Sequence, residues 1–299
     1  MPTVEAGTQL KLKNILYLTD FSEPSEAALP FAAAIARKYS ANVHALHVLV
    51  PDPYVYATAS SLGMVQEAEE ESAKAAMQRV ESQLAGVPYE VILERGAEVW
   101  PTIEQTMKER HIDLIVLGTH GRTGAQKFLL GSVAEEIFRC SPVPVLTIGP
   151  NVRVGLHNGA QFHRILFATD FSPEAAAAAS YAVSLAQETR ARLLSLHVIP
   201  LRETHEEQQQ VDLSVAEAIH QLYEVVPKNV ELDAPQEVAV EYGDAAGRIL
   251  EVAKRRSADL IVLGVRGAEG RLGAATHLER ATAHKVVAHA ACPVLTVRG

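Results

Sequence analysis

Asn14-Ile-Leu-Tyr-Leu-Thr-Asp-Phe-Ser22 recurs later in the chain as Arg164-Ile-Leu-Phe-Ala-Thr-Asp-Phe-Ser172. Three further blocks follow in the same order in each half. Ala45-Leu-His-Val48 matches Ser195-Leu-His-Val198, and Asp113-Leu-Ile-Val-Leu-Gly118 matches Asp259-Leu-Ile-Val-Leu-Gly264. Pro144-Val-Leu-Thr147 matches Pro293-Val-Leu-Thr296. Four matched blocks in one order mark a duplication, and two long copies indicate two domains rather than a solenoid. The domains are placed at 1–150 and 160–299, with Pro150–His163 as a linker, because that stretch has glycines and prolines but no periodicity.

Each copy reads β-α-β-α-β-α-β-α-β. In the first, the strands are the apolar runs Ile15–Leu18, Val43–Val50, Tyr89–Leu93, Leu114–Leu117 and Val143–Ile148. Runs without alternation suit strands covered on both faces, as in a parallel sheet. Ser22 and Ser172 are placed to cap the first helix of each copy, with Pro24 and Pro173 in the opening turn. Phe31, Ile35 and Tyr39 recur at helical spacing, matched by Tyr181 and Leu185, and Pro30 is expected to kink this helix. The predicted fold class is α/β: two tandem, doubly wound, Rossmann-like domains, each a five-stranded parallel sheet flanked by helices.

Composition narrows the function classes. The 299 residues are 48% apolar but only 5% aromatic, so the two cores are built from aliphatic side chains. No apolar run approaches the roughly 20 residues that cross a bilayer, and Met1–Asn14 has no apolar core of a secretory signal. One cysteine in each half, Cys140 and Cys292, leaves no disulfide framework and fits a reducing cytoplasm. A net charge of −9 argues against nucleic acid as a partner. The acidic run Glu67–Glu71 reads as the wet face of a helix, and Tyr54–Gly63 as a loop near the site.

After its fourth strand the first copy reads Gly118-Thr-His-Gly121, then a loop to Gly131-Ser132-Val133. Glycine allows close approach of backbone to a ligand. The free N–H groups of a helix starting at Ser132 form an anion site. Ser132-Val-Ala-Glu135 is equally a capping box, a purely structural use of the same residues. Asp20 follows the first strand on the same sheet edge, where ligands of open α/β sheets bind, and a carboxylate there suits a ribose hydroxyl.

The G-x2-G-x9-G-S pattern resembles the ATP-binding motif of the universal stress protein family, and the resemblance extends over both halves. It implies a five-stranded parallel sheet, of the adenine-nucleotide α-hydrolase-like type, with ATP at its carboxyl edge and Mg2+ as an open companion. It further implies that Asp20 binds ribose, that Val48 and Leu117 contact adenine, and that Gly118, Gly121, Gly131, Ser132 and Val133 hold the phosphates. Family homodimers pair through their last strands. The same is expected here within one chain, through Pro144–Ile148 and Pro293–Val297, since an apolar edge strand must be covered; homodimerisation of the whole chain stays open.

The second copy keeps Asp170, Val198, Gly264 and Gly267 but lacks the Gly-Ser pair: His277-Leu278, or Arg280-Ala281 when counted from the far end, stand there instead. One ATP, in the first copy, is the expectation, with Arg271 and Arg280 left as holders of a different anion. The histidines His44, His47, His120, His197, His277, His284 and His289 show no ligand spacing backed by a third ligand and are read as structural or solvated. No catalytic residue and no metal ligand is assigned, because the G-x4-G-K-[ST] loop is missing and no base or arginine finger is placed. A nucleotide-binding regulatory protein leads. A slow ATPase or other ATP-using enzyme on the same fold and a nucleotide-free assembly module remain as alternatives.

Overall fold

The computed structural model describes residues 9–51, 62–119, 131–152, 161–201, 207–266 and 282–299. The first half supplies β1 (Asn14–Leu18), α1 (Glu23–Tyr39), β2 (Asn42–Leu49), α2 (Leu62–Gln83), β3 (Tyr89–Arg95), α3 (Val99–Arg110), β4 (Leu114–Gly118), α4 (Ser132–Cys140) and β5 (Val145–Ile148). The second supplies β6 (Arg164–Thr169), α5 (Pro173–Thr189), β7 (Arg192–Ile199), α6 (Glu207–Tyr223), β8 (Glu237–Tyr242), α7 (Ala245–Arg255), β9 (Leu260–Val265), α8 (Thr282–His289) and β10 (Val294–Arg298). Each half is a five-stranded parallel sheet, β3-β2-β1-β4-β5 and β8-β7-β6-β9-β10. In both, the order reverses beside the first strand, which makes the halves doubly wound.

The two sheets are one sheet of ten strands, because β10 lies antiparallel against β5. Leu295 stands opposite Leu146, Val294 opposite Thr147 and Thr296 opposite Val145. Leu146 and Leu295 occupy the same place in the two copies, so a local twofold axis passes between them. Thr296 adds a side-chain bond from its hydroxyl to the Val145 carbonyl, 3.3 Å.

Strand residues alternate between two apolar layers, and each layer runs through both halves. One holds Ile15, Tyr17, Leu146, Phe167 and Leu295 under α1, α2 and α5. The other holds Leu16, Leu18, Val145, Leu166 and Val294 under α3, α4, α7 and α8. Continuous runs of buried strand residues are the signature of a sheet covered twice. α1 is capped by Ser22, whose hydroxyl accepts from Ser25 N–H, and α5 by Ser172, which accepts from Ala175 N–H. Pro30 lies exposed within α1, which the structure gives as one helix.

Glycine is dictated by packing at two matched positions. A methyl group on Gly118 would stand 2.2 Å from the Pro24 carbonyl oxygen and 2.8 Å from Ser25 N; on Gly264 it would stand 2.5 Å from Ala175 N. Each glycine lets its strand end pass under the first turn of the first helix. Gly118→Ala and Gly264→Ala are each expected to destabilise by about 1–3 kcal/mol in chemical denaturation, as overpacking does. Gly63→Ala, with nothing within 4 Å of the added carbon, is expected to be neutral or to stabilise by up to about 1 kcal/mol as a helix former. Equal effects at all three positions would refute the packing role.

Burial also leaves an alkaline signature. It pushes the Tyr17 hydroxyl, which donates to the Ser25 carbonyl at 2.9 Å, from 10.0 up to about 12. It pushes the Cys292 thiol from 9.0 up to about 12. Both groups stay neutral in the folded chain and ionise sooner when unfolded. Their contribution is therefore complete below pH 9 to 10 and is lost as pH rises toward 12. Denaturation midpoints should fall across that window. Tyr17→Phe should flatten the upper part of the fall while costing about 0.5–1.5 kcal/mol at neutral pH for the lost hydrogen bond. An alkaline profile unchanged by Tyr17→Phe would remove Tyr17 from this account.

Candidate functional site

A cleft with about 250 Å3 of space opens at the carboxyl ends of β1, β2 and β4. It sits at the point where the strand order of the first half reverses, between β1 and β4. Seven of the eight residues singled out from the sequence line it: Asp20, Val48, Leu117, Gly118, Gly131, Ser132 and Val133. Gly121, with the rest of residues 120–130 and His120, lies outside the described residues.

The floor on one side is the turn from β1 into α1. The Asp20 Oδ1 accepts from Ser22 N–H at 3.1 Å and from the Ser22 hydroxyl at 2.5 Å. The Thr19 hydroxyl oxygen accepts from Phe21 N–H at 3.0 Å. These short side-chain bonds hold Phe21 at a φ of 63°, a left-handed conformation that costs a non-glycine residue about 1–2 kcal/mol. His47 supports the turn from β2. Its Nδ1 lies 2.7 Å from the Thr19 carbonyl oxygen, and its ring is tilted against Phe21 with centroids 4.4 Å apart. His47 is therefore structural, as is His44, whose Nδ1 lies 2.9 Å from Glu90 and whose Nε2 lies 3.3 Å from Asn14.

The opposite wall is the start of α4. Here the capping-box reading is corrected: Gly131 takes the N-cap position and Ser132 is the first helical residue, with no side chain bonded back to the first turn. A serine one residue inside the helix cannot return its hydroxyl to the N–H groups ahead, and glycine offers no oxygen. By contrast α1, α5 and α7 are closed by Ser22, Ser172 and Asp244. The first-turn N–H groups of α4 thus have no intrahelical acceptor, and the positive end of the helix points at the cleft. Gly131 N–H donates to the Thr119 carbonyl at 2.7 Å, and Thr119 N–H donates to that of Ile148 at 3.1 Å. These two bonds bring both ends of the 120–130 loop back to the sheet edge.

The third wall is apolar. Leu18, Leu46, Leu117, Val99, Ile103 and Ile137 line it, with Val48 half-buried at the rim. The cleft runs on through Asp20, His47, Val48 and Val99 into an open groove beneath α2, bounded by Val50, Met64, Glu69 and Arg79. Gly118 lines the cleft, and packing alone already requires glycine there: the backbone that its missing side chain admits is that of Pro24 and Ser25.

The second half repeats the turn. Asp170 Oδ1 accepts from Ser172 N–H at 3.0 Å, Thr169 accepts from Phe171 N–H at 2.9 Å, and Phe171 has a φ of 60°. His197 lies 2.8 Å from the Thr169 carbonyl, 4.6 Å from the Phe171 ring. Partial burial works to raise the Asp170 pKa. The bonds from the Ser172 hydroxyl and N–H, with the Arg266 charge, outweigh it and hold the carboxyl below its usual range. Residues 267–281, including Gly267, Arg271, His277, Leu278, Arg280 and Ala281, lie outside the described residues.

A sequence model of the universal stress protein family matches residues 11–149 and again residues 161–298. A universal stress protein of Mycolicibacterium smegmatis is 27% identical over 301 residues, covering 95% of this chain and 96% of its own. The universal stress protein MJ0577 of Methanocaldococcus jannaschii is 31% identical over 153 residues, covering 46% of this chain and 94% of its own. Among solved structures, a universal stress protein from Archaeoglobus fulgidus superposes with a TM-score of 0.70 at 24% identity, over 97% of this chain and 99% of its own. The repeated fold and the doubled match agree, and the chain belongs to the universal stress protein family as a tandem two-domain member.

Proposed function

We propose that the first half, residues 1–150, binds ATP in the β1–β4 cleft, and that the nucleotide acts as a regulatory or conformational ligand. The observation that carries this reading is the uncapped start of α4, which faces an apolar cleft with a carboxylate on its far side. The residues fit the three parts of a nucleoside triphosphate. Helix N–H groups at Ser132 and Val133, which have no intrahelical acceptor, suit phosphate oxygens. Val48 and Leu117 offer apolar contact to a base, and Asp20 suits the ribose hydroxyls. Gly118 and Gly131 let the chain pass close to the phosphates, and Gly118 also packs the sheet edge against α1. Gly121 joins them on the family pattern. Bound ATP would bring a strongly anionic triphosphate chain, with or without Mg2+, to the start of α4.

We further propose that residues 160–299 act as a structural partner, a pseudo-dimer mate within the chain, in a cytoplasmic protein. The β1–α1 turn is the same in both halves, so it does not distinguish a binding half from a silent one. The Gly-Ser pair does, and only the first half has it at this place.

Two measurements test the reading. Calorimetric titration of the full chain with ATP should give about one site per chain, and ATP at about 100 times its Kd should stabilise the fold by roughly 2.7 kcal/mol. Two equal sites would overturn the silent second half, and no heat with no stabilisation would overturn ATP as the ligand.

The second is Gly131→Glu. Gly131 has φ −62° and ψ 141°, which any residue adopts. A carboxylate at a helix start stabilises by about 0.3–1 kcal/mol, so the fold should hold or gain stability. The same carboxylate would occupy and repel the phosphate position, so ATP affinity should fall at least tenfold. Unchanged affinity would remove the start of α4 from the site.

A further inference from the structure

Around the local twofold axis, several side chains meet their own counterparts from the other copy. Lys38 and Glu188 each lie sixteen residues after the serine that caps their helix, so they are equivalent positions. They meet at the junction: Lys38 Nζ lies 3.4 Å from the Glu188 carbonyl oxygen, and the Glu188 carboxylate acts on the Lys38 charge. That carboxylate also accepts from the Tyr39 hydroxyl and, at 2.5 Å, from Leu10 N–H. On the other face of the sheet, Glu135 and His284 each lie nine residues before the proline that precedes the last strand. They meet as well, with His284 Nε2 3.7 Å from Glu135 Oε2 and both largely shielded from water.

We infer that these two axis positions make the junction face of each half complementary to the other half and repellent to a copy of itself. Two first halves paired through β5 would set Lys38 against Lys38 and Glu135 against Glu135. Two second halves paired through β10 would set Glu188 against Glu188. Like charges at a contact of this kind are penalised, and such juxtapositions suppress wrong partners. The strand edges alone do not discriminate, because Val145-Leu-Thr147 and Val294-Leu-Thr296 are identical. The discrimination therefore lies in the flanking helices, on both faces of the sheet. The partner that fits the β5 edge is β10 of the same chain, and the chain closes on itself. This inference is independent of nucleotide binding.

The test uses the full chain. Lys38→Glu combined with His284→Glu sets Glu against Glu at both axis positions. Adding Glu188→Lys and Glu135→Lys sets opposite charges against each other at both positions. Amide hydrogen exchange at Val145–Thr147 and Val294–Thr296 reads the junction, and Ile15–Leu18 and Ile165–Ala168 report the integrity of each half. The like-charge variant should lose at least tenfold protection at the junction while the halves keep theirs, and the four-substitution variant should regain most of it. If the like-charge variant does not fold, His284→Glu alone, reversed by Glu135→Lys, gives the same comparison. Junction protection unchanged by like charges, or not regained on reversal, overturns the inference. So does sedimentation of the wild-type chain as a dimer joined through β5 to β5.

Discussion

The antiparallel contact of β5 with β10 is the constraint on which the rest of the structure depends. A parallel five-stranded sheet with its fifth strand at the edge leaves a row of apolar side chains and unpaired N–H and C=O groups, an arrangement that invites aggregation. Here that edge is consumed within the chain. Both apolar layers then run across the junction without a break, so the cores of the two halves are physically one above the sheet and one below it.

Around that contact, each half completes the other. The Arg298 guanidinium donates from Nη1 to the Cys140 carbonyl at the end of α4, 3.2 Å away. At the equivalent end of α8, the Asn151 amide donates to the His289 carbonyl at 3.3 Å. The last carbonyls of a helix have no intrahelical partner, and here the opposite half supplies one on each side. Gly149 passes so close beneath α8 that an added methyl would stand 3.2 Å from the Val287 carbonyl oxygen. The copies have diverged so that one reaches across with an arginine and the other with a close backbone and an asparagine.

Much of this was legible in the residues. The four repeated blocks gave the duplication, and the unalternating apolar runs gave strands covered twice. Thr19-Asp20-Phe21-Ser22 pointed to a turn at the sheet edge, and Gly131-Ser132 gave the start of α4 to within one residue. The errors were local and physical. Ser132 looked like a cap, but the helix begins one residue earlier than that role requires. Gly118 looked like a glycine for a ligand alone, and the packing demand from Pro24 was missed because nothing in the sequence places Pro24 beside it. The contacts across the junction, such as Lys38 with Glu188 or Arg298 with Cys140, span 150 and 158 residues and leave no periodicity to read. A sharper signal for His47 was available: both copies keep a histidine in the second strand and a phenylalanine after the aspartate, the pair that stacks in each half.

The capping of α4 by Arg298 has a consequence for how the chain is made. Cys140 leaves the ribosome 158 residues ahead of the guanidinium that closes its helix. At the usual 5–20 residues per second, that is a delay of roughly 8–30 s. During that interval the first half has its other four strands, but β5 is an open edge and the end of α4 is unfinished. A nascent chain in this state carries the same exposed Val-Leu-Thr strand as every neighbour on the same message. The axis charges that separate like halves would therefore matter most before the protein is complete, when the correct partner has yet to be synthesised.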